Sequence, residues 1–359
     1  MAPSNLRSLT ALVLAGLLGA CVASPGPSSS EGVSPDASAN ASATATAVPT
    51  PASSAPAPSA SAEPTFTVTT YSVQPGSHPH DVAPAADGGV WYTAQNLGLL
   101  GWLDPETGDV RGIPLGRGSS PHGVVVDGDG DAWVTDSGLN AIVRVDAATD
   151  EVTKFPLPAG PNVNLNTAAF DASGVLWFTG QAGFYGRLDP ETEGVEVFEA
   201  PRGRGPYGIA ATPDGEIWFV SLAGRYLADV DEASGEVREI DPPTSSGLRR
   251  VWADSSGRLW VSEWEAGQVA VYDPATEEWR EWRLPGDGPQ AYSVFVDEAD
   301  AIWLTDFGAN AIVRFDPQSE TFMSFPADHP AEVRQMLGRP GEVWGAESAA
   351  DQLVVVRAD

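Results

Sequence analysis

Two of the four histidines in this 359-residue chain, His80 and His122, each stand eleven residues ahead of a tryptophan, Trp91 and Trp133. An imidazole titrates near neutrality and can take or give a proton there. Two of them at equivalent positions of neighbouring repeats can converge on one substrate atom. Five more residues share the same offset from a tryptophan: Asn166, Tyr207, Arg249, Tyr292 and Val333. Arg249 suits a carboxylate or a developing oxyanion. Asn166, with Asn164 beside it, suits a substrate carbonyl or a metal ion, and Tyr207 and Tyr292 offer hydrogen-bonding phenols. Three residues after each tryptophan stand Ala94, Asp136, Gly180, Ser221, Glu263, Asp306 and Glu347. The carboxylates among them, Asp136, Glu263, Asp306 and Glu347, are hard oxygen ligands that suit Mg²⁺ or Ca²⁺ rather than zinc.

The elements that must position these residues follow from the tryptophans. Trp91, Trp133, Trp177, Trp218, Trp260, Trp303 and Trp344 are separated by 42, 44, 41, 42, 43 and 41 residues. A period near 40 to 45 marks a repeat architecture. Each unit holds four short β-rich runs bounded by Gly, Asp, Asn or Pro, with no helical period. Four antiparallel strands per unit make a propeller blade, so the expected fold is all-β, a seven-bladed β-propeller. Asp-Gly at 87–88, 127–128 and 214–215 falls where a tight hairpin needs positive φ. The last unit stops after three strands at 353–357. Residues 66–73 resemble a fourth run and are expected to pair there, closing the ring and removing an open edge. The repeated tryptophans read as interblade packing, and Asn140 and Asn310, identical in two repeats, as turn residues. In a propeller the first strand of each blade lines the central channel. The positions eleven before and three after the tryptophan then form two concentric rings at one channel mouth. Divergence among equivalents marks that mouth as the functional site.

The ends of the chain read differently. Residues 1–20 carry Arg7, a short apolar run and Leu18-Gly19-Ala20-Cys21, a lipobox-like signal peptide with lipidation expected at Cys21. Cys21 is the one cysteine, which excludes an internal disulfide. Residues 21–64 are rich in Ala, Ser, Pro and Thr and read as a disordered tether, leaving 65–359 for the propeller. The expected location is the outer face of a bacterial cell membrane, held only through the lipid anchor. The formal charge is −30, with 49 acids against 19 bases, which argues against nucleic acid as a partner. A monomer with a small-molecule or peptide-like ligand at the channel mouth is expected. No phosphate-binding Gly-rich loop, His-Glu-x-x-His or Gly-x-Ser-x-Gly is present.

The recurring unit, seen in Pro121-His122-Gly123, Leu176-Trp177-Phe178-Thr179, Gly186-Arg187-Leu188-Asp189-Pro190 and Pro206-Tyr207-Gly208-Ile209-Ala210, resembles the repeat of streptogramin B lyases, also called virginiamycin B lyases. The resemblance spans about residues 66–357. It implies a seven-bladed propeller and a Mg²⁺-assisted elimination that opens a cyclic depsipeptide at its ester C–O bond. By that resemblance His80 matches one site histidine, His122 the histidine of a Glu-x-His, and Asp136 a later acid. The Glu of Glu-x-His falls on Ser120. In this reading His122 is the base, His80 its partner acid or orienter, and Asp136 a metal ligand. Two other readings stand beside it: a non-catalytic propeller binding a glycan, peptide or protein at the mouth, and a Ca²⁺-dependent lactonase-like hydrolase using Glu263, Asp306 and Asn166.

Overall fold

The computed structural model of the chain describes residues 64–244 and 247–359. The signal segment, Cys21 and the tether up to residue 63 lie outside the described residues. Among the described residues all regular structure is β, arranged as seven sheets of four antiparallel strands. Blades 1 to 6 occupy residues 79–114, 121–156, 165–199, 206–240, 248–283 and 291–326. Blade 7 takes three strands from 333–358 and its outer strand from Phe66–Ser72. That outer strand pairs antiparallel with Gln352–Ala358, Phe66 opposite Ala358 and Ser72 opposite Gln352. Phe66 also packs edge-on against Trp303 and Phe325 of blade 6, at 5.6 and 5.5 Å. The seven first strands neighbour one another in a closed cycle, so they enclose the axis.

The seven periodic tryptophans are all buried. In four blades an aspartate six residues earlier accepts the indole N–H: Asp127 (2.7 Å), Asp171 (2.8 Å), Asp254 (2.9 Å) and Asp297 (2.7 Å). The same carboxylates cap backbone N–H groups in the hairpin between first and second strands, as Asp127 does for Asp129 and Asp131. One short side chain thus fixes both the turn and the tryptophan's orientation. This alters one turn from the expected pattern. Gly88 and Gly215 have positive φ, but in blade 2 Gly130, at φ 94, takes that role in place of Gly128. Asp127 aligns with Ala85 rather than Asp87, because both start their hairpins. Asn140 and Asn310 adopt φ of 52 and 51 in equivalent turns.

Candidate functional site

Each first strand carries a register shift just after its start, as between Pro79 and Val82 or between Leu248 and Arg250. A bulge of this kind re-aims side chains that strict alternation would send to opposite faces. A hydroxyl in the second strand secures it. Thr93 Oγ1 accepts the N–H of Asp81 at 2.9 Å and donates to the carbonyl of His122 in the next blade at 2.8 Å. Thr135 does the same for Gly123 and Asn166, and Ser262 for Arg250 and Tyr292. Thr179 donates to the Tyr207 carbonyl. The backbone carbonyls of His122, Asn166, Tyr207 and Tyr292 are therefore each held by the blade before. Blade 4 has Val220 at this position.

These bulges bring together the residues of the inner ring. His80 and His122, 3 % and 6 % exposed, lie with ring centroids 3.8 Å apart. His80 Nδ1 meets Asp81 Oδ1 at 2.7 Å, and Arg250 Nη2 lies 3.4 Å from the same oxygen. The guanidinium favours the carboxylate form of Asp81, so the shared proton belongs on His80 Nδ1, leaving the lone pair on Nε2. Burial, reinforced by Arg250 and Arg334, holds His80 well below the usual imidazole value. Burial and His80 do the same to His122, against an opposing pull from Asp81. Burial raises Asp81, and Arg250 offsets part of that rise. The Asn166 amide Nδ2 lies 3.4 Å from His122 Nε2; with the amide donating, His122 carries its proton on Nδ1, a buried atom with no partner.

The opposite half of the ring is phenolic and cationic. Tyr207 and Tyr292 hydroxyls meet at 3.0 Å across the axis, from blades 4 and 6. Arg249 donates to the Tyr207 hydroxyl at 3.0 Å, and its guanidinium lies 3.9 Å from the Tyr292 ring centre and 4.8 Å from that of Trp264. Phe307 stacks on Tyr292 at 4.7 Å. Burial would push the Tyr292 phenol up, but Arg249, Arg250 and Arg334 outweigh it and hold it down at about 8. Burial and Tyr292 raise Tyr207.

The seventh ring member is a correction. Val333 is buried in the hydrophobic core, opposite Glu347, just as Pro79 stands opposite Ala94. The ring position belongs to Arg334, whose guanidinium lies 5.8 Å from the Tyr292 ring centre. The blade 7 hairpin is one residue shorter: Trp344 pairs with Leu337, seven residues back, where Trp91 pairs with Ala83, eight back. Asp81 and Arg250, one position past the ring, join the site as well.

The carboxylates of the second ring do not converge. Asp136 Oδ1 accepts the backbone N–H groups of Ser120 (2.9 Å), Gly138 (3.0 Å) and Leu139 (2.9 Å), and Oδ2 takes the Ser119 hydroxyl. Asp306 caps Gln290, Gly308 and Ala309 in the same way. Glu263 takes the Gln268 amide at 2.5 Å. Glu347 takes His329 at 3.0 Å, and burial raises it. It borders a cleft of about 490 Å³ between blades 6 and 7, away from the ring. A Mg²⁺ ion placed by the resemblance would need Asp136 and a second carboxylate where Ser120 stands. Asp136 has its lone pairs committed to N–H and O–H donors, so this donor set does not fit the ion. The Ca²⁺ set fails in the same way, with Asp306 capping a loop and Asn166 turned to His122. Among the described residues the one cluster of ligand-type side chains is His80, Asp81 and His122, with atoms within 4.8 Å of one another.

The sequence profile of the Virginiamycin B lyase family matches residues 58–287, more than half of the chain. Three solved structures are similar in fold. A virginiamycin B lyase from Staphylococcus aureus superposes with a TM-score of 0.76 at 19 % identity, over 82 % of this chain and 99 % of its own. A streptogramin B lyase gives 0.75 at 22 % identity, over 82 % and 98 %. A catalytically inactive form of the S. aureus enzyme with quinupristin gives 0.75 at 20 %, over 82 % and 99 %. No curated protein matches the sequence.

Proposed function

The chain belongs to the virginiamycin B lyase family, and from that premise we propose that its polar channel mouth carries out a carbon–oxygen elimination on a cyclic ester or depsipeptide-like substrate. The observation that supports this most is the buried Asp81–His80 pair lying against the His122 ring, with the cationic and phenolic Arg249–Tyr207–Tyr292 group opposite. Asp81 fixes the tautomer and the plane of His80, whose Nε2 removes the proton α to a carbonyl. The C–H pair becomes the new C=C bond, and the β C–O bond breaks with its pair leaving on oxygen. Negative charge on the carbonyl oxygen meets Arg249 and the phenols, which hold it without reorganisation. His122 and Asn166 donate hydrogen bonds that orient the substrate. The base is therefore assigned to His80 rather than His122, because His122 Nε2 is occupied by Asn166 and His80 has a carboxylate behind it.

The test is mass spectrometry of a streptogramin B depsipeptide incubated with the protein. The expected product is linear, of unchanged mass, and absent with His80→Ala. A product heavier by one water would instead identify a hydrolase. We also propose that Cys21 is lipidated and tethers the propeller to the outer face of a bacterial cell membrane. Cys21→Ser should then release the protein into the medium, and retention on the cell would remove the anchor.

A further inference from the structure

Three guanidiniums converge on the polar mouth of a chain whose formal charge is −30. Arg250, 2 % exposed, reaches across the axis to Asp81, yet its Nε and Nη1 have no partner, and neither does Arg249 Nε. Arg334, half-buried at the rim, spends Nε on Ser348 and Nη2 on Glu332. Buried N–H groups of an arginine are costly to leave without an acceptor. The carboxylates these guanidiniums meet are Asp81 and the rim residue Glu332, so two carboxylates face three cations. The histidines that share the mouth are held neutral by burial and the same cations. His122 Nδ1 adds one more donor without a partner.

We infer that the polar mouth takes a compact carboxylate-bearing ligand, gripped by Arg250 and Arg249 with His122 Nδ1. A carboxylate supplies the two in-plane acceptors that a guanidinium fork matches. It also gives acceptors to the Arg250 Nε, Arg250 Nη1 and Arg249 Nε groups that Asp81, which meets only Arg250 Nη2, does not reach, and Arg334 draws the anion inward from the rim. This deepens the functional reading, on which it rests: the substrate carries a free carboxylate close to its scissile bond. A divalent ion on His80, Asp81 and His122 would instead lie against the Arg250 guanidinium and leave its N–H groups without acceptors.

Calorimetric titration of the full chain with malonate tests this, with uncharged malonamide as the control. Saturable one-to-one binding of malonate and none of malonamide is expected. Arg250→Met and Arg334→Gln should each weaken malonate by about tenfold or more. Arg334 is only partly buried at the rim, so its variant reports even if Arg250→Met fails to fold. Equal binding of malonate and malonamide, no binding of malonate, or unchanged affinity in Arg334→Gln overturns the inference. So does Zn²⁺ or Mg²⁺ binding that His80→Ala abolishes and malonate does not displace. The two readings fail separately. Malonate binding without elimination of any ester leaves the anion site and removes the lyase. Elimination from a neutral depsipeptide that malonate does not inhibit leaves the lyase and removes the anion site.

Discussion

The two ends of the central channel are made by the same seven strands, and they differ in almost every respect. At the start of those strands stand His80, His122, Asn166, Tyr207, Arg249, Tyr292 and Arg334. A few residues on, at their other end, stand Ala83, Val125, Ala169, Ala210, Trp252, Phe295 and Leu337, around an apolar cleft of about 340 Å³. The apolar end is held by packing: Trp252 meets Phe295 edge-on at 5.2 Å, and the hairpin aspartates beyond it tie down the tryptophans. The polar end is held by hydrogen bonds from Thr93, Thr135, Thr179 and Ser262 to ring carbonyls. That leaves its side chains available for chemistry, and several buried donors there have no partner. Such a cluster costs stability that a purely structural position would not sacrifice. On the proposed reading one end carries stability and the other function, and substitutions should separate them.

Removing the Phe295 ring should cost about 3–5 kcal/mol, read as a lower denaturant midpoint. His80→Ala should leave that midpoint nearly unchanged and lower elimination by roughly 10²- to 10⁴-fold. If His80→Ala instead destabilises as much as Phe295→Ala, the contrast between the two ends collapses. Asp171→Ala loses the Trp177 indole bond and two hairpin caps, and should cost about 1–3 kcal/mol without altering kinetics in the folded state.

Acid provides a gentler probe of the same contrast. His80 and His122 bind protons less readily folded than unfolded, relative to the ordinary value of 6.5. Below that pH the unfolded chain takes up more protons, so their contribution to stability is complete above pH 6.5 and declines as pH falls. Denaturant midpoints measured from pH 7 downward should show this decline, and His80→Gln with His122→Gln should flatten it. The smallest effect is spectroscopic. One phenol should ionise near pH 8, seen as tyrosinate absorbance, and Arg249→Gln should move it upward. An unshifted titration in that variant would detach Tyr292 from the cationic group.

Much of the architecture was legible because the tryptophan spacing is a packing constraint repeated in each blade, and six of seven ring residues followed from it by counting. The seventh did not, since a hairpin shorter by one residue moved Val333 into the core and Arg334 to the axis. Asp81 and Arg250 were hidden by the bulge: simple alternation sends the residue after the ring position away from the channel. A signal was present. The equivalents Gly123 and Gly208 are small because the space is tight; a Cβ on Gly208 would lie 2.6 Å from Arg250 Cα. Two oppositely charged side chains at a position that is Gly, Thr or Ser in four other blades mark a pair. Asp136 and Asp306 misled in the other direction. They recur in near-identical repeats, as Asn140 and Asn310 do, and the recurrence reflects the loops they cap.

The strand at Phe66–Ser72 has a consequence for when the molecule becomes whole. Six sheets can form from hairpins within one stretch of chain each, and such local contacts form quickly. The seventh cannot, because Phe66 must wait for Ala358. During synthesis the first strand is among the earliest segments of the domain to emerge, and its partner is among the last. Until then it is an unpaired edge, and the blades are an open arc whose polar mouth has no seventh wall. The ring is therefore whole only once the strand at Gln352–Ala358 has arrived.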